Sequence, residues 1–188
     1  MERPVRIYLV RHAKTAEPWQ TALDAPLSET GHRQADAAAR DLAGLGPLPL
    51  WSSPLQRARQ TAAPLAALWN TDVHIEPRIT EIPAPSSDPK IRGDWLMQTL
   101  TAKWSAMESE LQEWRDKVLG ALSEVTEDTV MVTHYVVVNA VVGAATGDDR
   151  VICFHPDNTD TTVIDRIGDR FNVVGYTLGG TSGPELVT

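Results

Sequence analysis

Five residues stand where their chemistry could be used together: Arg11, His12, Arg57, Glu81 and His134. A neutral imidazole keeps one ring nitrogen unprotonated near pH 7. His12 is therefore a candidate nucleophile, provided a carbonyl or hydroxyl holds the proton of its other nitrogen. The guanidinium of Arg11 beside it offers a planar fork of donors that matches phosphate oxygens. Arg57 falls in the first turns of an expected helix, where free N–H groups already draw anions. His134 follows an apolar strand-like run, and protonated beside an anion it would serve as a fourth donor. Glu81 in a pocket holding a phosphoester could, with a raised pKa, protonate the departing oxygen. Taken singly, each has a plainer account: a histidine that ends a strand or sits satisfied in a core, an arginine in a salt bridge, a solvated glutamate.

The elements that would have to bring these residues together can be read from apolar spacing. Val5 to Val10 (VRIYLV) reads as a buried strand ending at Arg11-His12, and a loop follows to about Pro26. Ser28 is placed to cap a helix over Glu29 to Leu42. Leu48 to Trp51 reads as a second strand. Ser53-Pro54 then supplies an expected N-cap and first-turn proline for a helix running toward Trp69, which Pro64 should kink or shorten.

Val73 to Glu76 reads as a third strand and Pro83 to Pro89 as a loop. From Asp94, apolar residues recur every three or four positions to Leu122, which predicts one long amphipathic helix or two joined ones. Thr129 to Thr133 reads as a buried strand ending at His134, and Val136 to Ala145 as a buried helix closed by Gly147. Thr161 to Asp165 and Phe171 to Tyr176 complete the strands as edge or antiparallel partners. The alternation predicts an α/β three-layer sandwich with a mainly parallel sheet, one domain over residues 1–188. Ligands in such folds sit beyond the carboxyl ends of the strands, where Arg11-His12, Ser52-Ser53 and His134 all fall.

The bulk properties remove several function classes. A formal net charge of -8 argues against a broad nucleic-acid-binding face. Cys153 is the only cysteine, so neither an internal disulfide nor a cysteine-rich zinc module can form. There is no HExxH pair and no glycine-rich nucleotide loop. His32, His74 and His155 lack ligands at metal spacing. His155 lies in the polar run FHPDNTD, which reads as a turn in preference to a loop reaching the active edge. The opening residues are charged too early for a secretory leader, and no apolar run reaches the ~20 residues of a membrane span. A cytoplasmic protein with no membrane or nucleic-acid partner is expected. The six tryptophans fit helix-core or pocket-wall roles and do not settle assembly, which leaves a homodimer open.

Five segments in order now carry a resemblance: IYLVRHAKT (Ile7 to Thr15), PLSETGHRQA (Pro26 to Ala35), SSPLQRARQTA (Ser52 to Ala62), RITE (Arg78 to Glu81) and VTHYVVVNA (Val132 to Ala140). Together they resemble the histidine phosphatase superfamily, the phosphoglycerate mutase-like proteins. The resemblance implies that His12 is transiently phosphorylated, that Arg11, Arg57 and His134 bind the transferred group, and that Glu81 donates the proton. It also implies a small-molecule phosphoester substrate and no metal or organic cofactor. The substrate wall is expected from Lys14 to Ala25 and Ile82 to Trp104, with Lys14, Arg92 and Tyr135 as substrate contacts and Lys90 near them. Three positions depart from the family pattern: Ala13 and Tyr135 replace glycines after the two histidines, and Ile82-Pro83-Ala84-Pro85 replaces a glycine- and tryptophan-containing stretch. Tyr135 is expected to narrow the pocket. The rival readings are mutase-type phosphoryl transfer, a protein phosphohistidine phosphatase and a non-catalytic phospho-ligand binding module.

Overall fold

In the VRIYLVR run, alternate side chains turn to opposite faces and both faces are apolar, the pattern of a strand covered on two sides. The computed structural model, which describes residues 3–19 and 21–176, makes it the strand β1 (Val5–Arg11). Ile7 and Leu9 enter one core with Met131, Val137 and Val141. Val10 enters the other with Leu50, Val130, Ala58 and Leu65. One six-stranded sheet carries the fold, completed by β2 (Leu50–Ser52), β3 (Val73–Ile75), β4 (Thr129–Thr133), β5 (Thr161–Ile167) and β6 (Arg170–Tyr176), in the order β3-β2-β4-β1-β5-β6. The first four of that order run parallel. β5 joins β1, and β6 joins β5, antiparallel, so the predicted antiparallel edge is present. Helices α1 (Glu29–Leu42) and α2 (Gln56–Trp69) pack on one face, and α4 (Ser109–Ser123) and α5 (Tyr135–Thr146) on the other. Helix α3 (Pro89–Leu100) stands in the segment after β3.

Register decides what meets at the sheet's carboxyl edge. Arg11 pairs with Thr133, and Ser52 with Val132, so β1, β2 and β4 end level with one another. The next residues of these strands, His12, Ser53 and His134, therefore arrive side by side. Their backbones extend the ladder: His12 N–H donates to the Thr133 carbonyl at 2.9 Å and Ser53 N–H to that of Val132 at 3.1 Å.

Helix α1 opens as expected, with Ser28 Oγ accepting the Gly31 N–H at 3.0 Å. Gly31 packs against the backbone of Lys14 so closely that an added Cβ would lie 2.0 Å from the Lys14 carbonyl oxygen. This contact presses the loop after His12 onto α1. Helix α5 is closed by Gly147 in the left-handed region (φ 72°), also as expected.

Three expectations are corrected. Helix α2 begins at Gln56 rather than after Ser53, and its N-cap Leu55 makes no side-chain cap bond. The Ser53 hydroxyl is used elsewhere, as described below. Pro64 does not shorten α2, which continues to Trp69. Burial of Ala58, Ala62 and Leu65 on the sheet outweighs the ~3 kcal/mol that an interior proline costs. The apolar periodicity from Asp94 to Leu122 takes the two-helix form, α3 and α4, but its start is corrected: α3 begins earlier, at Pro89, capped by Asp88. Between them the chain makes only short turns of its own and bonds across to residues 149–151. Trp104 N–H donates to the Asp149 carbonyl at 2.8 Å, and Val151 N–H to that of Ala102 at 3.0 Å. Trp104 is thereby buried and stacks on Trp114 with ring centroids 6.0 Å apart.

Candidate active site

His12 leaves β1 with its ring almost enclosed, 8% exposed. Its Nδ1 lies 2.8 Å from the carbonyl oxygen of Ala13. A carbonyl can only accept, so Nδ1 carries the proton and Nε2 keeps its lone pair. Nε2 in turn receives the Nε–H of Arg57 at 3.3 Å. Burial and the charges of Arg57 and Arg11 hold the imidazole pKa down to about 3, so the ring is neutral throughout the physiological range. Ala13 fits where a glycine was the family pattern: it is fully buried, and its N–H donates to Thr61 Oγ1 at 2.9 Å.

Arg57 sits in the first turn of α2, 2% exposed. Besides His12 it donates to the Leu23 carbonyl at 2.9 Å, tying the loop before α1 to the site. Arg11, at the end of β1, donates to the Pro156 carbonyl at 2.8 Å. Its guanidinium lies 4.9 Å from the centre of the Tyr135 ring. Burial pulls both arginines below their usual pKa, offset chiefly by the charge of Glu81.

His134 follows β4 and is fully buried, its ring centroid 5.2 Å from that of His12. Its Nε2 lies 2.7 Å from Ser53 Oγ, which also accepts the Leu55 N–H at 3.2 Å. Where the Ser53 hydroxyl, which already accepts from Leu55, gives its own hydrogen to Nε2, the ring proton lies on Nδ1. That Nδ1 and the Nε of Arg11 are both buried without a partner among the described residues. The expectation of a protonated His134 concerns the site with an anion bound; without one the ring is neutral. Burial, followed by His12 and the two arginines, pushes its pKa well below the usual value. It still offers a donor, as the neutral tautomer.

Glu81 comes after the turn Pro77–Ile79 and accepts the Ile82 N–H at 3.0 Å. Burial raises its carboxyl pKa; the Ile82 N–H, Arg57 and Arg11 oppose the shift without cancelling it. One neutral nitrogen base and one carboxylic acid of raised pKa thus face the same cavity of about 360 Å3, with Arg11 and Arg57 in its wall.

Of the remaining expected contacts, Lys14 and Tyr135 line the cavity. The Tyr135 hydroxyl is hydrogen-bonded to His155 Nδ1. Arg92 does not line it. Its buried guanidinium donates to the carbonyls of Trp19 at 2.8 Å and Ser87 at 3.1 Å and lies 5.3 Å from the centre of the Trp19 ring, so it fastens the wall from behind. Lys90 is exposed and also outside the lining.

Three contributors escaped the sequence reading of roles. Ser53 was taken for a helix cap. Thr61, one helical turn beyond Arg57, accepts from Ala13 and donates to the Arg57 carbonyl at 2.7 Å. Asn158 lines the cavity and donates to the His12 carbonyl at 2.8 Å. The polar run FHPDNTD was the visible signal for Asn158, and it does reach the active edge.

The family model of the histidine phosphatase superfamily (branch 1) matches residues 7–178. Phosphoserine phosphatase 1 of Hydrogenobacter thermophilus is 30% identical over 192 aligned residues, covering 90% of each chain. The glucosyl-3-phosphoglycerate phosphatase of Mycolicibacterium vanbaalenii is 30% identical over 78% of this chain and 66% of its own. Among solved structures, Bacillus stearothermophilus YhfR superposes with a TM-score of 0.76 at 21% identity, over 95% of this chain and 98% of its own. That likeness confirms the α/β sandwich. Among the described residues no helix is long and apolar enough to cross a membrane.

Proposed function

This chain belongs to the histidine phosphatase superfamily, and from that membership we propose that it hydrolyses small phosphorylated metabolites through a phosphohistidine on His12. The observation that carries the reading is a pair of groups with opposite protonation on one cavity: His12 neutral, with an unprotonated Nε2 that accepts only the Arg57 Nε–H, and Glu81 biased toward its acid form. The relatives named as phosphatases of phosphoserine and glucosyl-3-phosphoglycerate support the substrate size.

In the first step the Nε2 lone pair attacks phosphorus and the ester P–O bond breaks. Glu81 gives its proton to the departing oxygen, which leaves as the alcohol. The imidazole becomes cationic while its Nδ1–H stays on the Ala13 carbonyl. In the second step water attacks phosphorus, the Glu81 carboxylate takes the water's proton, and the N–P bond breaks to return its electron pair to Nε2. Arg11, Arg57 and the Nδ1–H of His134 hold the phosphoryl oxygens throughout; positioning and charge neutralisation dominate such transfers. Arg11 lines the cavity and its buried Nε is unpartnered among the described residues, which fits this role; His134 is not among the lining residues, and its assignment rests on its ring lying 5.2 Å from that of His12 and on its unpartnered Nδ1. Lys14 and Tyr135 would touch the alcohol. No step calls for a metal or organic cofactor, and a lone, buried, free Cys153 suits a cytoplasmic setting.

The cavity walls weigh against a protein-borne phosphohistidine as substrate, because Trp19, Leu96 and Leu100 enclose the space beside His12. A panel of small phosphoesters with the purified protein tests the proposal. Phosphate release without isomerised product is expected. It should be lost in His12→Ala and unaffected by a metal chelator. Isomerised product would mark a mutase, and release that survives His12→Ala would overturn the assignment.

A further inference from the structure

The cavity is divided by chemistry. Besides Arg11, His12, Arg57 and Glu81 it is lined by a large hydrocarbon surface, Trp19 from the loop after β1, Ile82 beyond Glu81, Leu96 and Leu100 from α3 and Val136 from α5, with the polar side chains of Lys14, Thr15, Glu17, Tyr135 and Asn158 making up the remaining polar lining. Ile82 and Val136 are buried, whereas Trp19, Leu96 and Leu100 are only partly covered by the protein and keep apolar surface toward the cavity. From this we infer that the alcohol released carries an apolar body, an aromatic ring or branched aliphatic chain, and no second anionic group. The inference rests on the phosphatase reading and specifies its substrate class.

The placement of cations argues the same way. A substrate carboxylate needs a cationic partner where it lies, since stripping its hydration against hydrocarbon is costly. Arg11 and Arg57 are beside His12, in the part assigned to phosphate. Arg92, the basic residue of α3 nearest the wall, directs its guanidinium to the Trp19 and Ser87 carbonyls behind the aromatic ring. Lys14 and Glu17 do line the cavity, but both are exposed side chains of opposite charge at its rim, where water solvates them. An apolar body would instead cover the free surface of Leu96, Leu100 and Trp19 and gain the hydrophobic contribution of that area. The volume of about 360 Å3 lies at the small end of the usual range for ligand sites, enough for a phosphate and one ring or a short branched chain.

The test compares phosphate esters of primary alcohols, so that differences in leaving-group acidity stay small. Benzyl phosphate and 3-methylbutyl phosphate are set against O-phosphoserine, glycerol 3-phosphate and 3-phosphoglycerate. We expect kcat/KM for the apolar pair to exceed that for the charged or hydroxylated esters at least tenfold. In Leu96→Lys the ratio of benzyl phosphate to 3-phosphoglycerate should shrink at least tenfold. O-phosphoserine or 3-phosphoglycerate leading the wild-type ranking would overturn the inference whatever the variant does, and loss of that lead in Lys14→Ala would identify the rim lysine as the carboxylate's partner. If none of the esters is hydrolysed and no phosphohistidine forms on mixing, the phosphatase reading itself fails instead.

Discussion

Ser53 Oγ lies 2.7 Å from Nε2 of His134, joining the residue after β2 to the residue after β4 beneath the candidate phosphate site. When the Ser53 hydroxyl gives its hydrogen to Nε2 while accepting the Leu55 N–H, the ring proton lies on Nδ1. Ser53→Ala removes this bias. We expect kcat to fall about tenfold with little change in KM, and stability to fall by about 1 kcal/mol, the usual worth of one hydrogen bond. The readout that separates positioning from simple destabilisation is the ¹⁵N shift pattern of His134, which should change from the Nδ1–H tautomer to a mixture.

Arg11 and Arg57 approach the cavity from different elements but donate into one wall, and each is held by a carbonyl, Pro156 for Arg11 and Leu23 for Arg57. Preorganised donors of this kind are worth ~3–4 kcal/mol in the transition state. Arg11→Ala and Arg57→Ala should therefore each lower kcat/KM about 10²- to 10³-fold. Arg57→Lys should recover little of the loss, because an ammonium lacks the planar fork that reaches both His12 Nε2 and the Leu23 carbonyl. Steady-state kinetics with one phosphoester checks all three, and near-complete recovery in Arg57→Lys would refute the bidentate role.

Glu81 is strained by its own burial: a carboxyl whose pKa is raised in the folded chain binds its proton more tightly there than when unfolded. Above the ordinary carboxylate pKa that difference opposes folding. Glu81→Gln, which removes the ionisation, should raise the melting temperature at pH 7 while lowering kcat. The loss in kcat should be greater for alkyl than for nitrophenyl esters, whose leaving group needs no proton. Thermal denaturation and a two-substrate comparison read both arms, and a variant less stable than the parent would contradict the burial argument.

Much of this site was legible from residue order, for a physical reason. Arg11, His12 and His134 follow short apolar runs with nothing else to end them, and polar residues at the close of a buried parallel strand must surface at its carboxyl edge. Their convergence depended on the pairing of Arg11 with Thr133 and of Ser52 with Val132, a long-range register that spacing does not encode. Local signals failed where tertiary bonds outweighed them. Ser53-Pro54 has the composition of a helix start, yet Ser53 is drawn to His134. The period from Asp94 to Leu122 is unbroken on paper, yet Trp104 and Ala102 bond to the segment after α5. Arg92 reads as a substrate contact by sequence position alone, because nothing in the sequence says that it will meet the carbonyls of Trp19 and Ser87.

The two buried histidines also make acid stability a measurement of the site. An unfolded histidine titrates near 6.5, whereas folded His12 titrates near 3 and His134 well below its usual value. Between those values the unfolded chain binds protons that the folded chain refuses. The stabilisation is therefore complete above about pH 6.5 and is lost as pH falls toward 3, with a slope of up to about 1.4 kcal/mol per pH unit for each histidine. At pH 5, His12 alone should cost about 2 kcal/mol relative to pH 7.5. Urea denaturation at the two pH values, run on the parent and on His12→Gln, isolates this contribution. The variant should show the smaller drop, because it has one fewer ring to charge on unfolding. Added inorganic phosphate should reduce the drop in the parent, since an anion against the imidazoles stabilises their protonated forms. Equal acid sensitivity of parent and variant would mean that His12 is not held neutral in the folded protein, and with it the unprotonated Nε2 would be lost.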